Sequence, residues 1–259
     1  TLGGHSLKAM RLRSRLNRRL GVDLSLSEVM CHSRVDALAD LVRGKCRDGR
    51  AAATGPVPVG ELEDYPLSSA QERLWFLQRM QPDSTVYHVS FAARLEGGVD
   101  ADAMQQALRE LEARHDAWRL RMPTHVGPDG LRQRLAAPGT LRLQLHDFSA
   151  QADPGAAVAE AMEAELARPF CFGPDEPLLR ASLWRESADA CVLLLAMHHL
   201  ICDGWSVEIL FQELQHAYAC ALRRGSPHWP PLPVRYVDYA SWRGGYLTGP
   251  HAAAVRARW

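Results

Sequence analysis

Two stretches of the chain hold residues whose types and spacing suit chemistry. The first is AMHHLICDGWS, residues 196–206, where a continuous apolar run over 190–197 ends on the adjacent pair His198 and His199. Imidazole gains and loses a proton near neutral pH. The chemistry on offer is therefore proton transfer, or orientation of a nucleophile by a hydrogen bond. Neighbouring side chains of a strand point to opposite faces, so one ring is expected inward as support and the other outward to work. Adjacency fits a metal poorly, because paired ligands on regular elements sit at i, i+2 or i, i+4; no metal is expected. Asp203 falls where the chain turns into the next helix, and can either cap that helix or pair with a buried arginine. Gly204 is expected to allow a turn closed to other residues and to bring a backbone N–H close to a ligand. From the residues alone, the cluster reads equally as a reaction centre or as the structural corner of a buried strand.

The second stretch is LGGHSL, residues 2–7. Its two glycines leave the hydroxyl of Ser6 unscreened just where a helix begins. A group esterified there would meet the positive end of the helix, which favours a phosphate. Helix chemistry also offers a plainer role for Ser6, as an N-cap.

The elements that must position these residues can be read from periodicity. Leu7, Met10, Leu12, Leu16 and Leu20 fall at helical spacing up to Gly21, where a helix is expected to stop. An apolar turn over 24–30 and a last helix capped by Ser33 complete a small helical unit over residues 1–47. Residues 48–64, rich in small residues, prolines and charge, read as a linker. Beyond it, helices are expected at 68–80, 100–115, 152–168, 204–222 and 236–246. Strands are expected at 87–95, 118–122, 130–135, 141–146, 179–184 and 191–197. Helices and strands mixed in this order imply an α/β sandwich with a mixed sheet.

Composition narrows the function. Lys+Arg and Asp+Glu both number 30, which gives no net charge for nucleic acid or an anionic membrane. No apolar run approaches the roughly 20 residues of a membrane-spanning helix. The six cysteines form no C-x-x-C pairs and read as reduced thiols of a cytoplasmic protein. The opening TLGGHS has neither an initiator Met nor a signal peptide, so the chain reads as a piece of something longer.

LGGHSL, with VDLSLS at 22–27 and VDALADL at 35–41 behind it, resembles the C-terminal half of a peptidyl carrier protein of nonribosomal peptide synthetases. The resemblance implies that Ser6 bears 4′-phosphopantetheine. The stretch from His198 to Gly204 resembles the HHxxxDG motif of condensation domains. Three further stretches agree in order: SSAQERLW at 68–75, RHDAWR at 114–119 with Asp116 and Trp118 where Glu and Leu are usual, and YVDYASW at 236–242. Residues 65–259 then resemble the N-terminal lobe of a condensation domain, of chloramphenicol acetyltransferase-like fold, with the second lobe absent.

What the resemblance implies is amide formation between carrier-bound peptidyl and aminoacyl thioesters, with His199 orienting the amine and accepting part of its proton. Gly204 would donate to the oxyanion, and His198 would stand with the catalytic residues while supporting the loop. Asp203 would be structural, paired with Arg114 or Arg119. His5, His88 and His115 are expected to be surface or satisfied core groups. The implied partners are downstream carrier and adenylation domains and a phosphopantetheinyl transferase, and the piece alone is expected to be inactive. The alternatives are a stand-alone acyltransferase of the same fold, or a degenerate module that only recruits partners.

Overall fold

The structure, a computed structural model, describes residues 6–47 and 55–248 and divides into two compact units, Thr1–Gly55 and Pro56–Trp259.

In the first unit, α1 (Ser6–Leu20), α2 (Leu26–Cys31) and α3 (Val35–Arg47) follow one another. Helix α1 stops where Gly21 takes φ +63°, the left-handed conformation that only glycine adopts without strain. The side chain of Asn17 then bonds both the N–H and the carbonyl of Leu24, folding the connection back onto α1. The apolar turn expected at 24–30 is instead the helix α2. Ser25 Oγ accepts from the Glu28 N–H while the Glu28 carboxylate accepts from the Ser25 N–H, a reciprocal cap visible in the sequence as Ser-x-x-Glu. Helix α3 starts at Val35, one residue later than a Ser33 cap requires. Val22, Leu24, Val29 and Val42 form the small buried core of this unit.

The second unit contains β1 (Tyr65–Pro66), α4 (Ser69–Met80), β2 (His88–Glu96), α5 (Ala101–Arg114), β3 (Leu120–Arg121), β4 (Arg132–Leu135), β5 (Leu143–Asp147), α6 (Pro154–Ala167), β6 (Leu179–Ser187), β7 (Ala190–His198), α7 (Gly204–Leu222) and α8 (Tyr236–Thr248). Among the described residues the strands form two sheets, ordered β2-β7-β6-β5 and β1-β4-β3. The larger is mixed: β7 is antiparallel to both β2 and β6, while β5 runs parallel to β6. Every side chain from Leu193 to His198 is buried, as the unbroken apolar run of a strand covered on both faces demands. Helix α5 packs along α7, and α6 lies against β6 and β7.

Two local expectations change. The first half of the strand expected at 118–122 is a 3-10 turn, Asp116–Arg119, which leaves only Leu120–Arg121 paired in β3. The later part of the stretch read as a linker is built into the second unit. Val59 N–H donates to Asp238, and the Arg235 guanidinium donates to the Gly60 carbonyl. Residues 48–54 lie outside the described residues.

Candidate active site

The paired histidines sit at the end of β7 and take opposite environments. His198 has no exposed surface. Its Nδ1 accepts the Leu200 N–H at 3.1 Å, and its Nε2 faces Gln78 Oε1 at 3.3 Å. A backbone N–H only donates, so the ring proton resides on Nε2. Phe170 and Phe172 present edges to the ring at 6.1 and 5.7 Å. Burial first, then the neighbouring His88 and His199, pushes the His198 pKa down to about 3, so the ring is neutral near pH 7. The ring of His199 is exposed, and its backbone N–H is held by the Tyr87 carbonyl at 2.8 Å. Among the described residues, no side-chain or backbone group hydrogen-bonds the His199 ring. The sequence placed His198 among the catalytic residues; the structure leaves its ring no exposed surface through which to meet a reactant.

Helix α4 holds this corner from below. Its N-cap Ser68 and Gln71 form a capping box. Gln71 Nε2 lies 2.9 Å from Gln133 Oε1 and 3.3 Å from the Leu200 carbonyl, and Gln133 Nε2 donates to Pro66 O. Gln71 and Gln78, two turns apart on one face, therefore reach the two residues that flank His199. Cys202 closes the loop, its thiol directed at the His198 carbonyl. Burial, with Asp203 adding to it, pushes that thiol up to about 12.

Among the described residues Asp203 pairs with no arginine. It caps α7: its Oδ1 accepts from Ser206 N and Ser206 Oγ, both at 2.8 Å, and Ser206 Oγ accepts the Asp203 N–H. The arginines expected as its partners are engaged elsewhere. Arg114 donates to Glu213 on α7 and to the Pro230 carbonyl, with its guanidinium over Trp229, and His115 joins it on Glu213. Arg119 donates to the Ala136 carbonyl at 2.9 Å. The RH pair of that motif thus ties α5 to α7. Gly204 opens α7 with an ordinary backbone, and a Cβ built there meets nothing within 4 Å. The turn itself does not demand glycine. What remains is the N–H of an exposed residue in the first turn of α7, where helix geometry supplies no acceptor.

Sequence reasoning missed three supporting residues: Gln78, Gln133 and Arg180. Arg180, buried within β6, pairs with Glu165, donates to the Arg168 carbonyl at 2.8 Å and lies over the Phe170 ring at 4.0 Å. The usable signal was a lone arginine between apolar strand residues. His88 also departs from expectation. It lies against Phe170 with both ring nitrogens buried and, among the described residues, without hydrogen-bond partners. His5 lies outside the described residues. Ser6 is the first residue of α1, and no acidic residue stands in that helix's first turn.

Comparison with known proteins agrees with this geometry. A condensation domain family model matches residues 61–259, and a phosphopantetheine attachment site model matches residues 1–42. Malpinin synthetase of Mortierella alpina is 34% identical over 258 residues, covering 100% of this chain and 3% of its own length. A linear gramicidin synthase polypeptide of Brevibacillus parabrevis is 36% identical over 249 residues, covering 95% and 5%. The starter condensation domain of rhizomide synthetase RzmA superposes with a TM-score of 0.68 at 26% identity, over 76% of this chain and 47% of that one. The X-domain in the complex with OxyB from teicoplanin biosynthesis gives 0.63 at 29% identity, over 78% and 43%. The chain thus spans about half of the solved relatives and a small part of the curated ones. With an attachment-site match ahead of the HHxxxDG corner on one chain, this protein belongs to the condensation domain family of nonribosomal peptide synthetases.

Proposed function

We propose that His199 is the working group of an amide-forming centre that joins the acyl group of one carrier-bound thioester to the amine of another. The observation that carries this reading is the contrast at the end of β7: His198 has no exposed surface, while the next ring is open.

The reaction is aminolysis. A bond forms between the amine nitrogen and the thioester carbonyl carbon, the C–S bond breaks, and one proton passes from nitrogen to the departing sulfur. Both reactants are activated, since an α-amine of pKa about 8 is appreciably neutral at pH 7. Strong base catalysis is therefore unnecessary. Bringing the two together can supply about 7–11 kcal/mol of the barrier reduction. His199 orients the amine by a hydrogen bond and takes part of its proton as positive charge develops. The Gly204 N–H donates to the oxyanion. Asp203 holds that helix end by capping it, and His198 positions its neighbour. Arg114 and Arg119 serve structure through Glu213 and the Ala136 carbonyl.

Ser6 is the attachment point for 4′-phosphopantetheine, which supplies the thiol that carries an acyl group as its thioester. A helix start without acidic side chains suits the phosphate of that linkage. Downstream carrier and adenylation domains and a phosphopantetheinyl transferase are the proposed partners. The setting is the cytoplasm, where the free cysteines of the chain stay reduced.

The test is His199→Ala in the intact synthetase with Ser6 loaded, followed by amide formation. We expect a fall of about 100-fold or more, the lower end of acid–base contributions, with folding unchanged. A wild-type rate in that variant removes His199 from the mechanism.

A further inference from the structure

The His199 ring has no hydrogen-bond partner among the described residues, so its direction is set by the backbone of residues 198–200. That backbone is fixed at six points: His198 N–H on Leu178 O, His199 N–H on Tyr87 O, Leu200 N–H on His198 Nδ1, Leu200 O near Gln71, and His198 O under both the Ile201 N–H and the Cys202 thiol. The third point is conditional. It exists only while Nδ1 is an acceptor, which requires the proton on Nε2. The other neutral tautomer would set two donors against each other in a buried site, at the cost of an unsatisfied group.

Among the described residues, Gln78 is the one side chain hydrogen-bonded to the ring, and it can select the tautomer. Gln78 is itself buried, and its amide nitrogen donates to Pro82 O at 2.9 Å and Ser84 O at 3.1 Å. With both amide hydrogens committed to carbonyls, its oxygen is the atom turned to His198 Nε2. A continuous relay results, from the carbonyls of residues 82 and 84 through Gln78 and His198 to the Leu200 N–H.

We propose that Gln78 is a positioning residue: it holds His198 in the Nε2–H tautomer, and through it fixes the loop that aims His199. This inference rests on the reading of His199 given above. It also separates Gln78 from ordinary core filling, because what matters is one acceptor atom, not side-chain volume.

The experiment compares Gln78→Met, which keeps the length and removes the acceptor, with Gln78→Glu, which keeps an acceptor in either protonation state. Turnover is measured in the intact synthetase, with His199→Ala alongside. The His198 tautomer is read from ring ¹⁵N chemical shifts in this chain. We expect Gln78→Met to lower kcat at least tenfold with KM unchanged and to mix the His198 tautomers, and Gln78→Glu, which loses the same two donors but keeps the acceptor, to hold the Nε2–H tautomer and lose less turnover. Wild-type turnover in folded Gln78→Met, with His199→Ala impaired, overturns the proposal. So does an equal loss in both variants while His198 keeps its Nε2 proton. Should Gln78→Met fail to fold, the wild-type spectrum decides: a proton on Nδ1 overturns the relay. Full turnover in His199→Ala would instead remove the function reading, while the tautomer measurement still judges what Gln78 does to His198.

Discussion

His88 and His198 stand directly opposite each other across the β2–β7 ladder, and both rings are held below the usual histidine range chiefly by burial. The pair makes the fold acid-sensitive. In the unfolded chain His198 takes up a proton near pH 6.5, but in the folded protein only near 3. Between those values the unfolded state binds more protons, so stability falls as pH falls. The expected slope from His198 alone is about 1.4 kcal/mol per pH unit, levelling off below about pH 3. Urea unfolding midpoints across that window check it. His88→Leu, which removes two buried unpaired nitrogens, should leave stability at pH 7 unchanged or raised.

Asp203 caps α7, and that predicts a pattern no arginine pair would give. Asparagine caps as well as aspartate, whereas alanine does not. Asp203→Asn should unfold with the wild-type midpoint, and Asp203→Ala should lose about 1 kcal/mol. If asparagine proves as damaging as alanine in thermal unfolding, the carboxylate charge matters and the cap assignment is wrong.

Arg180 bonds Glu165 and a chain of carbonyls beneath Phe170. Replacing it by methionine leaves the Glu165 carboxylate, only 11% exposed, with Arg168 as its remaining ion-pair partner, and should cost about 1–3 kcal/mol. Arg180→Lys keeps the charge but loses the planar fork, and an intermediate loss is expected. Denaturant unfolding at pH 7 measures both.

Gly204→Ala offers a separation of fold from chemistry. The backbone there is ordinary and the space beside it is open, so stability should stay within about 1 kcal/mol of wild type or improve, alanine being the better helix former. Condensation should nonetheless slow, because the new methyl enters the face offered to the reactants. A thermal melt paired with a turnover assay distinguishes the two.

Much of this site was legible in sequence because its logic is local. The unbroken run before His198 demanded a buried strand, and alternation across that strand dictated one ring inward and one outward. The capping boxes at Ser25, Ser68 and Asp203 each lie within four residues, yet the sequence reading makes Ser25 part of a turn, gives Ser68 no cap, and leaves the cap at Asp203 as only one of two readings. What escaped was long-range. Gln78 lies 120 residues from His198 in sequence, and nothing in its local pattern distinguishes it from any polar helix residue. The Glu213 clamp on Arg114 spans 99 residues. Without it in view, Asp203 was the nearest acid by motif and was assigned the wrong partner. The glycine requirement at 204 was misjudged for a different reason. Neither a left-handed φ nor a crowded Cβ, the two structural causes of an indispensable glycine, is present there.

Cys202 carries one last consequence. It is the thiol closest in sequence to His199, and an exposed thiolate there would attack an arriving thioester and capture its acyl group by exchange. Its thiol is instead buried and held at about 12, leaving roughly one molecule in 10⁵ ionised at pH 7, and only the thiolate is nucleophilic. If His199 meets activated thioesters as proposed, the same corner contains a thiol that cannot steal their acyl groups.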